Sequence, residues 1–107
     1  MTRKLRWTER ATEQLAVIAE YISITSPVYA EQVVDRISKR FEQAQRFPES
    51  GRAVPEARAD EPFRELIERP YRLVYAVLPD AIEVIAVLHG RQDFPAGLQG
   101  QPGQPAS

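Results

Sequence analysis

Residues 71–91 read YRLVYAVLPDAIEVIAVLHGR. Two runs of β-branched and aromatic residues flank Pro79-Asp80, a turn pair, so the stretch predicts a hairpin with strands at 71–78 and 81–89. If Leu78 faces Ala81 across the turn, Arg72 lies opposite Val87 and His89 is its diagonal neighbour on the same face. That face carries Arg72, Val74, Ala76, Leu78, Glu83, Ile85, Val87 and His89. The other carries Tyr71, Leu73, Tyr75, Val77, Ile82, Val84, Ala86 and Leu88. A four-residue loop that pairs Val77 with Ile82 keeps this arrangement, whereas a three-residue loop or a bulge reverses it.

Upstream, RKLRW at 3–7 alternates enough to predict a first strand, with Leu5 and Trp7 on one side. Thr8 stands where an N-cap belongs, and Ala11, Leu15, Ile18, Ala19 and Ile22 then recur at helical spacing. Ser26-Pro27 restarts the pattern, because serine caps and proline is tolerated in the first turn. Ala30, Val33, Val34, Ile37, Phe41 and Ala44 form the second stripe. A connection this short folds the two helices into an antiparallel hairpin. Residues 48–62 hold Pro48, Pro55 and Pro62 without periodicity and predict a loop. FRELIER at 63–69 precedes Pro70 and is read as a further strand.

The expected fold is therefore α+β, β-α-α-β-β-β, with an antiparallel-dominated sheet packed by a helical hairpin. Residues 1–94 make the domain, and residues 95–107, uncharged and rich in proline, glycine and glutamine, form a disordered tail. One helical hairpin covers one sheet face. The more uniformly apolar face, the one with Leu73 and Tyr75, is assigned to it. Val74, Ala76, Ile85 and Val87 on the opposite face would expose an unusual apolar patch for a small monomer, so a partner segment is expected there.

Composition narrows the function classes. The chain has 107 residues and a net charge of −1 from 14 basic and 15 acidic residues, which gives no general attraction to nucleic acid. Cysteine is absent, which excludes thiolate chemistry, and the single histidine speaks against an all-protein metal site, so no metal or cofactor is expected. No apolar run resembles a signal peptide or a membrane span, and the expected location is the cytoplasm.

The order of elements, together with WTERA at 7–11, FPESGR at 47–52, REL at 64–66, PYRLVY at 70–75 and VLHGR at 87–91, resembles the RelE/ParE superfamily of bacterial toxins. The resemblance spans roughly residues 3–95. It implies a toxin of a type II toxin–antitoxin pair, held in a hetero-oligomer by a cognate antitoxin of ribbon-helix-helix or similar type, and supplies an occupant for the apolar patch. RelE-like members cleave messenger RNA on the ribosome, and ParE-like members poison DNA gyrase without an established catalytic site. RNA cleavage needs a base, an acid and cations for the developing phosphorane. Arg72, His89, Arg91 and Arg52 would form a sparse ribonuclease site, with no tyrosine after Tyr75 and no acid/base group in the tail. FPESGR and VLHGR look more like ParE. The ParE-like reading is therefore preferred, with no catalytic residue and with Arg72, His89, Arg91 and Arg58 as target-binding candidates. The alternatives are a RelE-like endoribonuclease and a non-toxic relative that only binds antitoxin.

Structural readings stand beside these. Arg72 can simply pair with Glu65 or Glu83 on the sheet, His89 can close a strand end, and Trp7 and Phe41 are core anchors. Arg36, Lys39 and Arg40 belong to a solvated helix face, and Tyr21 and Tyr29 flank the helix turn half-buried.

Overall fold

Thr8 is the point from which the fold is built. The computed structural model describes residues 3–90. In it Thr8 ends strand β1 (Lys4–Trp7) and caps helix α1 (Glu9–Ser23), its hydroxyl accepting from the Ala11 N–H at 3.2 Å. Such a cap contributes about 1 kcal/mol. Helix α2 (Pro27–Arg46) starts on the Ser26 cap, antiparallel to α1. Strands β2 (Arg52–Ala53), β3 (Phe63–Glu68), β4 (Tyr71–Val77) and β5 (Ala81–His89) complete the described residues. They form one sheet in the order β1-β5-β4-β3-β2, with β1 parallel to β5 and the remaining neighbours antiparallel. The fold is the expected α+β arrangement, with β2 added inside the predicted loop.

The helices cover one face. Val33, Ile37, Phe41 and Ala44 of α2 and Ala11 of α1 pack on Leu66, Leu73, Tyr75, Ile82, Val84 and Val87. Trp7 meets Phe41 edge-on at 5.2 Å between ring centroids, as a pair of core anchors should.

The hairpin begins in the expected register, with Val77 opposite Ile82, Ala76 opposite Glu83 and Tyr75 opposite Val84. A bulge then intervenes, and Val74 pairs with Ala86, Leu73 with Val87 and Tyr71 with His89. Ile85 is the extra residue, and beyond it β5 changes sides. Val87 therefore faces the helices, while Ala86 and Leu88 join Val74, Ala76 and Ile85 on the opposite face. Thr8 pins the bulge: its N–H and its hydroxyl both donate to the Val84 carbonyl, at 3.1 and 2.8 Å.

The opposite face is not open. Val54 and Ala57 of the segment after β2 join Phe63, Val74, Ala76, Leu78, Ile85, Ala86 and Leu88 in a second apolar cluster on this face. The segment between β2 and β3, read from sequence as a plain loop, is a cover for the second core. The expected patch of Val74, Ala76, Ile85 and Val87 is thus corrected twice: Val87 is on the helix side, and the other three are buried.

FPESGR is explained by one hydroxyl. The buried Tyr75 OH accepts from the Gly51 N–H at 2.9 Å and donates to the Pro48 carbonyl at 2.7 Å. A Cβ on Gly51 would lie 2.6 Å from that hydroxyl and 2.7 Å from the Glu65 carbonyl, so only glycine lets the backbone approach. Gly51→Ala is expected to cost about 1–3 kcal/mol in urea unfolding, from overpacking against a backbone that cannot yield. Burial raises the Tyr75 pKa above 10.0, so the unfolded chain ionises first as pH climbs. Stability should be intact below that pH and fall as it rises through the native value. Tyr75→Phe should lose stability at neutral pH but show a shallower alkaline fall.

Candidate functional site

Beyond Trp7, β1 stops while β5 continues to His89. From there α1 runs beside β5, and the Gln14 carboxamide oxygen accepts from the Val87 N–H at 2.8 Å, satisfying a group that a neighbouring strand would otherwise take. Side-chain substitution for a strand leaves space. A groove of about 750 Å³ opens between α1 and the sheet, with Ile18, Pro70, Tyr71, Val87 and His89 along its walls and Val17 and Tyr21 at its rim. Val17, Tyr21 and Ile24 follow at spacings of four and three, so they share one flank of the helix. They are 65%, 76% and 81% exposed, and Val28 at the start of α2 is exposed beside the turn. Val17 and Tyr21 also line the groove, so the exposed apolar strip is continuous with it. Tyr21 and Tyr29 are accordingly exposed rather than half-buried, and Tyr29 lies under the Arg36 guanidinium at 5.8 Å.

The groove has polar elements too. Arg10 lines it beside Glu9 and Glu13, and the Arg10 Nε is buried without a hydrogen-bond partner. Tyr71 and His89, directly opposite on β4 and β5, meet edge-on with ring centroids 6.3 Å apart. Burial raises the Tyr71 pKa, with Tyr29 adding to the shift and Arg36 opposing it, so the phenol stays neutral well into alkaline solution.

Around the sheet end lies a second, more polar pocket of about 740 Å³, bordered by Arg52, Glu56, Arg69, Arg72 and His89. Glu65, with a fully buried side chain, organises it. Its Oε1 accepts from the Arg72 Nε at 2.8 Å and its Oε2 from the Arg52 Nε at 2.6 Å. The two terminal nitrogens of Arg72 bind both oxygens of Glu56, at 2.8 and 2.7 Å. Hydrogen bonding to Glu56 is the main cause of the raised Arg72 pKa, so this side chain is a permanent cation. Two guanidinium groups and two carboxylates make a formally neutral cluster. It ties Glu56, in the covering segment, to the sheet.

The expected site residues thus separate. Arg72 and His89 lie on opposite faces of the sheet, because the bulge turns His89 to the helix side with Tyr71. They meet only at the border of the polar pocket. Arg52 is bound to Glu65, and Arg58 stands exposed at 3.3 Å from Asp60. Glu83 pairs with Arg6 at 3.6 Å rather than with Arg72. Arg91 and the tail lie outside the described residues. Among the described residues no group of three acidic, histidine or cysteine side chains is placed to hold a metal, and no helix is long and apolar enough to cross a membrane. Three features escaped the sequence reading. Glu56 gave no signal from an aperiodic loop, Gln14 looked like any polar helix residue, and the strip of Val17, Tyr21 and Ile24 was visible as a second, parallel helical spacing.

Comparison with known proteins bears on the whole domain. Residues 5–94 match the family described as "ParE toxin of type II toxin-antitoxin system, parDE". A curated protein of Sinorhizobium fredii (strain NBRC 101917 / NGR234), named "Putative toxin Y4kP", is 35% identical over 101 residues, covering 92% of this chain and 100% of its own length. A solved chain from the "Chromosomal ParDE TA system from P. aeruginosa" superposes with a TM-score of 0.67 at 23% identity, covering 82% of this chain and 96% of its own, which speaks to the fold.

Replacing Arg72 by alanine should leave the buried Glu65 carboxylate with one partner and lower stability by about 3–5 kcal/mol in urea unfolding. Adding Glu65→Leu to that variant should recover most of the loss, since the unpaired charge is then gone.

Proposed function

This chain belongs to the ParE toxins of type II toxin–antitoxin systems, and we propose that it inhibits DNA gyrase in the cytoplasm by binding rather than by catalysis. A separately encoded antitoxin, of ribbon-helix-helix or similar type, neutralises it in a hetero-oligomeric complex. The observation that carries the non-catalytic reading is the neutral arginine–glutamate cluster. A ribonuclease would need Arg72 and Arg52 free to meet a phosphorane, and here their donors go to Glu56 and Glu65. The net charge of −1 adds no attraction to ribosomal RNA.

The antitoxin docks on the strip of Val17, Tyr21 and Ile24 and the adjoining groove. The patch of Val74, Ala76, Ile85 and Val87 is already enclosed by the chain itself. Of the residues expected to contact the target, Arg58 on its exposed loop and His89 at the strand end are accessible, and Arg72 is committed to its ion pairs.

Purified protein is expected to trap gyrase-dependent DNA cleavage, and Tyr21→Asp to keep that activity while losing neutralisation by the antitoxin encoded beside it. Ribosome-dependent transcript cleavage abolished by His89→Ala would replace this reading with the ribonuclease. Harmless expression without antitoxin, with neither activity, would leave antitoxin binding as the sole function.

A further inference from the structure

The segment between β2 and β3 carries a carboxylate that the fold leaves half used. The Glu61 side chain is only 3% exposed. Its Oε1 accepts from the Arg58 N–H at 2.7 Å, while the Arg58 Nε stands off at 3.9 Å. Its Oε2 is buried and has no hydrogen-bond partner among the described residues. A buried acceptor without a donor is costly, and more so on an ionisable carboxylate.

Glu61 lines a pocket of about 240 Å³ together with Glu49, Ala53, Pro62, Arg64 and Val77. Glu49 is exposed, and Arg64 is engaged, its Nη1 donating to the Gly51 carbonyl at 2.7 Å. The volume falls below the range of about 300–1,000 Å³ typical of sites for drug-sized ligands, so the pocket suits a single side chain. Ala53 is exposed on β2, the strand that ends the sheet, so the pocket adjoins a surface that another chain can approach. Val77 stands at the opposite end of β4 from Tyr71, which lines the α1 groove, so the two sites are separate.

Apolar walls beside two carboxylates suit a side chain with a hydrocarbon stem and a cationic head. Arginine fits better than lysine. Its planar fork carries five donors, enough to meet Glu61 and Glu49 together, and a guanidinium is less strongly hydrated than an ammonium. The last torsion of a glutamate is soft, so a turn of the Glu61 carboxylate brings Oε2 to the pocket without moving the backbone. We propose that this pocket receives an arginine side chain presented by a protein partner, its guanidinium donating to Glu61 Oε2 and to Glu49. The site is independent of the α1 groove and holds whether or not the target is gyrase.

Titration of the isotopically labelled full chain with N-acetyl-argininamide, a blocked arginine residue, tests this. Saturable amide shifts are expected at Ala53, Glu61 and Val77, with Val17 and Tyr21 unmoved. Glu61→Gln keeps the shape and the acceptor for the Arg58 N–H but points an amide donor at the pocket, and should weaken binding about tenfold. Glu49→Gln, at an exposed position, should weaken it several-fold. Shifts that grow without saturating would overturn the proposal, as would binding that survives both substitutions. Equally tight binding of N-acetyl-lysinamide would overturn the choice of arginine. Free arginine bound more tightly than the blocked residue would replace the protein partner by the amino acid.

Discussion

A single extra residue in β5, Ile85, decides which side chains this protein shows to its helices, to its covering segment and to solvent. Up to Val84 the hairpin alternates from the turn, and from Ala86 it alternates again with opposite sense. Thr8 makes the change of sense possible. It caps α1 and bonds the Val84 carbonyl at the bulge, so the end of β1, the start of α1 and the kink in β5 coincide at one residue. Everything beyond inherits that geometry: Val87 enters the main core, its N–H is left to Gln14, and His89 comes round to Tyr71. The groove is the space that remains once a helix, rather than a strand, accompanies the last third of β5.

The ion-pair cluster gives the second core its cover. Val54 and Ala57 supply apolar contact, but a segment with three prolines nearby and little regular structure needs a tether. Glu56 and Arg72 provide it with a two-pronged bond, backed by Glu65 underneath. Burying charges costs desolvation energy that the mutual attraction only partly offsets. The compensating gain is that a loop is held in register over a hydrophobic face that would otherwise invite association. An arginine–histidine pair that looks catalytic on a flat hairpin becomes a structural bracket and a groove residue once the bulge separates them.

Much of the fold was legible because its signals are local. Thr8 and Ser26-Pro27 announce the helices, the two apolar stripes set their inner faces, and Pro79-Asp80 sets the hairpin. Paired numbering placed residues 73–77 and 82–84 on the correct sides. It failed from Ala86 onward because the bulge is stabilised by Thr8, some 76 residues away in sequence, a contact no local pattern carries. The covered face is illegible for a similar reason: Val54 and Ala57 are too few to announce a second core. Of the site, the residue types were recognised but their partners were not. By strand position Glu65 and Glu83 are both available to Arg72, and nothing in the aperiodic segment marks Glu56 as its partner.

The parallel pairing of β1 with β5 joins the first strand of the described residues to the last. Synthesis runs from N- to C-terminus, so Leu5 and Trp7 wait for their neighbours Ile82 and Val84 until nearly the whole domain has emerged. Until then the helical hairpin has no completed sheet to lie on, and Thr8 has no bulge to hold. A prematurely terminated product lacking residues 81–89 would therefore lack the central strand rather than a dispensable end. For a member of a toxin family, this makes folding itself an interlock: no translation product that stops short of β5 can carry the finished surface.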